Sequence, residues 1–145
     1  MSFIFQKVGR GTAEIFKILK NGESSAIGQG NAVCYDFTTA KDGKTVILPT
    51  TTSFGLFAGV VANGVTLAKS GSDGEWGKVQ IYGLHGGVKV GGGVTASLGD
   101  ALVPVNSSGV MTVGNSTNID VQFVRAAANA TTTIYKGLTC FIRAM

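Results

Sequence analysis

Histidine occurs once in this 145-residue chain, and cysteine and proline twice each. Two cysteines and one histidine cannot furnish the four ligands of a structural zinc site, so no metal is expected. The single imidazole, His85, would also have to serve any nucleophile that needs a base beside it. Ser97, His85 and Asp100 can be written as a hydrolase triad. Yet Ala96-Ser97-Leu98-Gly99 is not the Gly-x-Ser-x-Gly elbow. His85, between Leu84 and Gly86, reads as a solvent-facing turn residue. Carboxylates are equally sparse. Asp73 and Glu75 fall in a polar loop with nothing apolar to raise a pKa, and Asp36 and Asp42 flank a hairpin. These absences argue against an enzyme: no catalytic residue, cofactor or small-molecule substrate is expected.

Long apolar runs are missing too. No stretch approaches the ~18 apolar residues of a membrane helix, and Met1–Phe5 lacks the charged start and long apolar core of a signal peptide. No membrane partner is expected, and Cys34 and Cys140 read as buried free thiols. Gly43-Lys44-Thr45 fails as a phosphate loop because Thr38 stands where its first glycine belongs. Gly91-x-Gly93-x-x-Ala96 has no crossover helix after it, so it is no dinucleotide fingerprint. Three Asn-x-Ser/Thr matches, at Asn106, Asn115 and Asn129, read as turn residues. Basic residues are never adjacent. Trp76, Lys78, Tyr82 and Lys89 come nearest to an aromatic-basic face, and packing at a subunit contact is the preferred role, so no nucleic-acid partner is expected.

Charge itself is scarce. Asp, Glu, Lys and Arg make up 14% of the chain, against about 25% in typical soluble domains. A surface with so little charge is either apolar or covered, which points to assembly. The net charge is +4. Lys7, Arg10, Lys17 and Lys20 against Glu14 put +3 of it in residues 1–20. A basic end can dock on an acidic surface.

What the chain has in quantity is glycine, 22 residues. The stretch from Gly74 to Pro104 concentrates it. Val79 and Ile81 alternate with Lys78, Gln80 and Tyr82, the period of a half-buried strand. Gly86-Gly87 and the triple glycine at 91–93 bracket Val88-Lys89-Val90 as a separate short strand. Elsewhere, residues 30–37, 44–48, 54–62, 110–113, 119–127 and 133–144 read as strands. Asn63-Gly64 predicts a tight hairpin answered by 65–68, and 129–132 a last turn. Residues 12–21 fit a capped helix or a strand equally well. Nine or ten strands with turns about every ten residues give an all-β fold, a compact Gly-rich antiparallel β-barrel or sandwich. Residues 1–20 form an extended N-terminal arm and 21–145 a single β-barrel domain. Gly30-Asn31-Ala32-Val33, followed by Gly43 and Val46, echoes Gly99-Asp100-Ala101-Leu102, followed by Gly109 and Met111. The echo marks either an internal repeat or two ordinary hairpins.

Residues 57–111 carry a family pattern: Leu56-Phe57-Ala58-Gly59-Val60-Val61, then Gly77-Lys78-Val79-Gln80-Ile81-Tyr82-Gly83, Val88-Lys89-Val90, Thr95-Ala96-Ser97-Leu98-Gly99-Asp100-Ala101-Leu102-Val103-Pro104 and Asn106-Ser107-Ser108-Gly109. This pattern resembles phage head decoration, or capsid cement, proteins over about half the chain. The resemblance implies a compact β-barrel, a homotrimer, no enzymatic activity, and a place in the virion on the outer capsid surface between capsomers of the major capsid protein. It implies a terminal arm at the capsid contact, which makes Phe3, Phe5, Lys7 and Arg10, with Trp76 and Tyr82, the expected capsid and subunit interface. The alternative is a receptor- or glycan-binding tip or tail module of a bacteriophage particle.

Overall fold

The computed structural model of the chain describes residues 4–8, 13–50, 53, 56–91, 94–114, 124–127, 130–131 and 136–144. They form an all-β structure. A ten-stranded sheet holds β1 (Ile4–Val8), β2 (Ala13–Asn21), β3 (Ala32–Tyr35), β4 (Thr45–Ile47), β5 (Phe57–Val61), β6 (Trp76–Val90), β8 (Ala101–Pro104), β9 (Met111–Val113), β10 (Val124–Ala126) and β12 (Lys136–Arg143). Two short strands, β7 (Thr95–Ala96) and β11 (Ala130–Thr131), pair apart from it. Ala130–Thr131 is therefore a strand where the sequence suggested a turn.

The helix-or-strand ambiguity at 12–21 resolves as strand over Ala13–Asn21. A lone ten-residue helix is marginal in water. As a strand, this segment is paired on both edges. Phe16 sits opposite Phe5 of β1 and opposite Gln80 of β6, and Lys20 opposite Thr45 of β4 and Trp76 of β6. β1 and β4 thus follow one another along the same edge of β2. Leu19 and Asn21 are fully buried, so residues 13–20 belong to the body of the fold rather than to an arm. Only β1 projects as an added strand.

The second correction concerns β6. Gly86 and Gly87 do not end a strand; β6 runs unbroken for 15 residues. Gly87 lies instead where other backbones approach closely. A Cβ at Gly137 would meet the Gly87 Cα at 3.1 Å, and one at Gly30 would run into the Gly87 carbonyl. The third concerns Asn63-Gly64. The turn forms, with Gly64 at φ 74° and the Val65 N–H donating to the Ala62 carbonyl at 3.1 Å. No hairpin follows it. Leu67 pairs with Ile27 instead, and the Asn21 amide donates to the Ala68 carbonyl at 2.8 Å. The edge of β5 is taken by β6.

The pairings close on themselves twice. One circuit runs β2-β4-β3-β5-β6 and returns by β6 to β2; the other runs β6-β9-β8-β10-β12 and returns by β12 to β6. Each has its own core. Leu19, Ile27, Val33, Val46, Ala58, Val61, Leu67 and Val79 fill the first. Val88, Val90, Leu102, Met111, Val124, Leu138, Cys140 and Ile142 dominate the second, joined by Ala32, Phe57 and Val60 from β3 and β5.

The two circuits are the same structure made twice. The antiparallel hairpin β3–β4 corresponds to β8–β9, the parallel contact β2–β4 to β6–β9, and the antiparallel pairs β3–β5 and β5–β6 to β8–β10 and β10–β12. The bonds match residue by residue. Gly22 N–H donates to Val46 O and Gly91 N–H to Met111 O; Gly30 N–H to Val61 O and Gly99 N–H to Ala126 O; Val61 N–H to Asn31 O and Ala126 N–H to Asp100 O; Ala62 N–H to Lys78 O and Ala127 N–H to Thr139 O. Gly30 and Gly99 both have positive φ, 76° and 89°. The echo between Gly30–Val33 and Gly99–Leu102 is thus a true repeat, with β6 ending the first unit and opening the second.

Equivalent glycines then differ in their surroundings, which gives a matched test. Gly99→Ala meets nothing within 4 Å and suffers only the left-handed backbone strain, about 1–2 kcal/mol. Gly30→Ala adds a clash with the Gly87 backbone, at a further cost of about 1–3 kcal/mol. Denaturant unfolding of the two variants should show Gly30→Ala clearly the less stable.

Candidate functional site

Alternation along β6 turns the His85 side chain inward. Its ring is fully buried, contrary to the solvent-facing role expected from its neighbours Leu84 and Gly86. Nδ1 accepts the Gly87 N–H at 3.1 Å, so the proton resides on Nε2, which donates to the Val61 carbonyl at 3.0 Å. Burial pushes the imidazole pKa below its usual value, against smaller opposing effects from the Val61 hydrogen bond and the Glu14 charge. Both nitrogens are used by backbone. Ser97 and Asp100 lie on an exposed turn, where Ser97 N–H donates to Asp100 Oδ2 at 2.7 Å. The three residues of the hypothetical triad are therefore not a working set.

The other amides and carboxylates that could suggest chemistry are likewise occupied, mostly by backbone. Asn21 Oδ1 accepts the Glu23 N–H at 2.8 Å while its amide holds the Ser25 and Ala68 carbonyls. Asp36 Oδ1 accepts the N–H groups of Thr38 and Thr39. Asp42 caps its turn through Lys44 and Thr45, and the Lys44 N–H is the main cause of its lowered pKa. Glu75 accepts the Gly71 N–H, which chiefly lowers its pKa, and pairs with Lys20 at 3.4 Å. Burial raises the Cys34 and Cys140 thiols to about 11 and about 12, which keeps both protonated and inert. Among the described residues no group of three or more His, Cys, Asp or Glu could hold a metal ion, and no helix is long and apolar enough to cross a membrane.

What is left for recognition is the surface. Of the residues singled out from the sequence, Phe3 and Arg10 lie outside the described residues. Phe5 and Lys7 fall in β1, whose outer edge has no pairing among the described residues. Trp76 opens β6 opposite Lys20 and is 46% exposed. Tyr82 packs edge-to-face on Phe141, with ring centroids 5.2 Å apart. The structure does not gather these into one site: Trp76 and Tyr82 lie on different parts of β6. Beside the first part of β6, a groove of about 380 Å³ is lined by Glu14, Phe16, Ala62, Asn63, Val65, Lys78 and Gln80.

Sequence reasoning missed Phe141, Leu98 and Arg125. Leu98 is 69% exposed at the turn before β8, Phe141 is 37% exposed on β12, and Arg125 faces outward from β10 with Nη1 donating to the Gly99 carbonyl at 2.9 Å. For Phe141 the signal was present: Leu138, Cys140 and Ile142 alternate inward, which leaves Phe141 on the outer face. Comparison with protein-family models and with curated protein sequences finds no match to this chain.

The neutral, buried His85 fixes a pH dependence. Unfolded, it binds a proton below pH about 6.5; folded, it resists protonation, because a second ring N–H would face the Gly87 N–H. Stability is therefore unaffected above that pH and falls as the pH is lowered from it toward the depressed folded value. Equilibrium unfolding between pH 7 and 5 should show this loss, and His85→Gln should remove the part of the slope that His85 supplies.

Proposed function

We propose that this protein is a structural decoration protein that binds the outer surface of an icosahedral phage capsid and stabilises it. The observation that carries the reading is the combination of a low-charge surface with large apolar side chains held exposed. Ile4, Phe37, Trp76, Leu98 and Phe141 are all exposed, while the buried polar groups among the described residues are engaged within the fold. Such a surface suits burial between partners. The likeness of residues 57–111 to decoration proteins points the same way, and supplies the virion location, the major capsid protein as partner and the trimeric state. We read each closed circuit of strands as a small barrel, the pair fused through β6. The β1 strand, which carries Lys7 and has no pairing along its outer edge among the described residues, is our candidate for the capsid contact, with Phe5 and Lys7 in it and Phe3 and Arg10 beside it in sequence.

Cementing acts by mass action. A ligand that binds only the assembled shell stabilises it by about 2.7 kcal/mol per site at a hundredfold excess over Kd. Many such sites resist internal pressure together, and a trimer adds avidity because three weak contacts act as one.

A second reading is a glycan- or receptor-binding module, favoured by the groove beside Phe16, where a carboxylate, two amides and an aromatic ring come together. Co-sedimentation separates the two. A cement protein pellets with expanded shells at a fixed ratio to the major shell protein, and deletion of residues 2–11 lowers that occupancy. A protein that stays in the supernatant, or whose occupancy survives the deletion unchanged, contradicts respectively the cement reading or the role of β1.

A further inference from the structure

Asn-Gly occurs twice in the chain, at Asn21-Gly22 and at Asn63-Gly64. The pair carries a chemistry of its own. The glycine nitrogen can close a ring on the asparagine side-chain carbonyl carbon, and glycine has no side chain to obstruct the approach or restrict the backbone. Whether the ring closes depends on what else holds the glycine N–H and the asparagine amide.

The fold holds the two pairs differently. At Asn21 everything is tied. The side chain is fully buried. Its amide nitrogen donates to the Ser25 and Ala68 carbonyls at 2.9 and 2.8 Å, and its oxygen accepts the Glu23 N–H at 2.8 Å. The nucleophile is tied as well, because the Gly22 N–H donates to the Val46 carbonyl of β4 at 2.8 Å. Asn63 and Gly64 are both exposed. Gly64 sits at φ 74° with nothing within 4 Å of where a Cβ would be. The Asn63 amide faces Gly86 and Gly87, which have no side chains to confine it. One contact restrains the nucleophile: the Gly64 N–H donates to Gln29 Oε1 at 2.7 Å, and Gln29 is itself exposed. A hydrogen bond from an exposed N–H to a neutral amide exchanges with water at little cost.

We propose that Asn63 is a self-modifying site, converted to aspartate and isoaspartate in the folded protein, with Gln29 setting the pace. The Gly64 N–H gives its proton to water or hydroxide. Its nitrogen forms a bond to Asn63 Cγ, the Cγ–Nδ2 bond breaks, and Nδ2 leaves as ammonia. Water then opens the cyclic imide at either carbonyl. Cleavage between Cγ and the nitrogen gives aspartate. Cleavage between the main-chain carbonyl carbon and the nitrogen gives isoaspartate, with the main chain rerouted through Cγ. Nothing is oxidised or reduced, and water is the only co-reactant. Either product adds a carboxylate to the groove beside the first part of β6, where Asn63 stands with Glu14, Lys78 and Gln80. A groove with two carboxylates disfavours an anionic ligand and favours a cationic one. Isoaspartate also lengthens the main chain inside the turn that the Val65 N–H closes on the Ala62 carbonyl. The reaction needs neither a shell nor a ligand, so it stands apart from both readings of function.

The test is incubation of the full folded chain for days at mildly alkaline pH, followed by isoelectric focusing and mass-spectrometric peptide mapping. An acidic form should accumulate, changed at residue 63 and intact at residue 21. Isomerisation at Asp42-Gly43 or Asp73-Gly74 alters neither charge nor mass, so it does not mimic this readout. Asn63→Gln should remove the acidic form. Gln29→Ala should speed the conversion about two- to tenfold, the worth of one hydrogen bond, with circular dichroism confirming the fold. In guanidinium chloride, where the fold is lost, residues 21 and 63 should convert at similar rates. An Asn63 that stays unmodified in the folded protein, or a residue 21 that converts there as fast as residue 63, overturns the proposal. A rate unchanged or slowed in folded Gln29→Ala overturns the role of Gln29.

Discussion

Everything in this fold depends on three backbones meeting without side chains between them. β6 is paired by β5 and then β12 along one edge, and by β2 and then β9 along the other. The partners change around residues 81–88. There the Gly30 loop abuts the Gly87 carbonyl, Gly137 abuts the Gly87 Cα, and Gly83 bends the strand at φ 100° against the Ala13 carbonyl. A Cβ at Gly30 would force the two circuits apart, and one at Gly83 would push β2 off β6. This is the second use of glycine, close approach rather than turning, and it explains why so many glycines lie inside strands. His85 spans the same junction, joining β6 to the Val61 carbonyl at the end of β5.

The polar residues that first suggest chemistry are absorbed by the same logic. A buried amide or carboxylate without partners is costly. Among the described residues no buried side-chain nitrogen or oxygen lacks one. Asn21 ties the loops after β2 and β5 to each other, Asp36 closes the turn after β3, and Gln80 donates to the Tyr82 and Leu84 carbonyls across the kink. Each replaces a ladder bond that an irregular stretch of backbone cannot make. Their burial is the signature of a small β structure with sharp corners, and it leaves recognition to the exposed apolar and cationic side chains.

Local pattern was legible in the sequence; long-range partnership was not. Alternation, apolar runs and turn signals located β3, β4, β5, β9 and β12 within a few residues, and residues 54–62 were readable as a central strand, of which Phe57–Val61 is β5. Gly86-Gly87 misled because the sequence of a glycine pair does not say whether the chain turns there or another chain segment presses on it. His85 misled because its partner, the Val61 carbonyl, is remote in sequence. The repeat showed only at Gly30–Val33 and Gly99–Leu102, where both copies need the same left-handed glycine. Beyond that point it is out of phase. Gly30 and Gly99 are 69 residues apart, Val46 and Met111 65, and Val79 and Cys140 61, so no fixed period survives the shortening loops. Of the surface side chains, the exposure of Trp76 followed from its place at the start of β6, while that of Phe141 required knowing that Leu138, Cys140 and Ile142 face inward.

A shared strand also makes the two units inequivalent by construction. The first unit buries Ala32 and Val60 in the core of the second, so its residues there are small and apolar. Among the described residues, the matching positions of the second unit are not packed into the core of the first. Residues at its matching positions are free to become Arg125 and Phe141, which a buried intrachain contact would exclude: an arginine in place of Val60 would have to be desolvated without a carboxylate to pair with. The divergence between equivalent positions therefore separates what the fold requires from what the surface is used for, and it does so residue by residue without reference to any other protein.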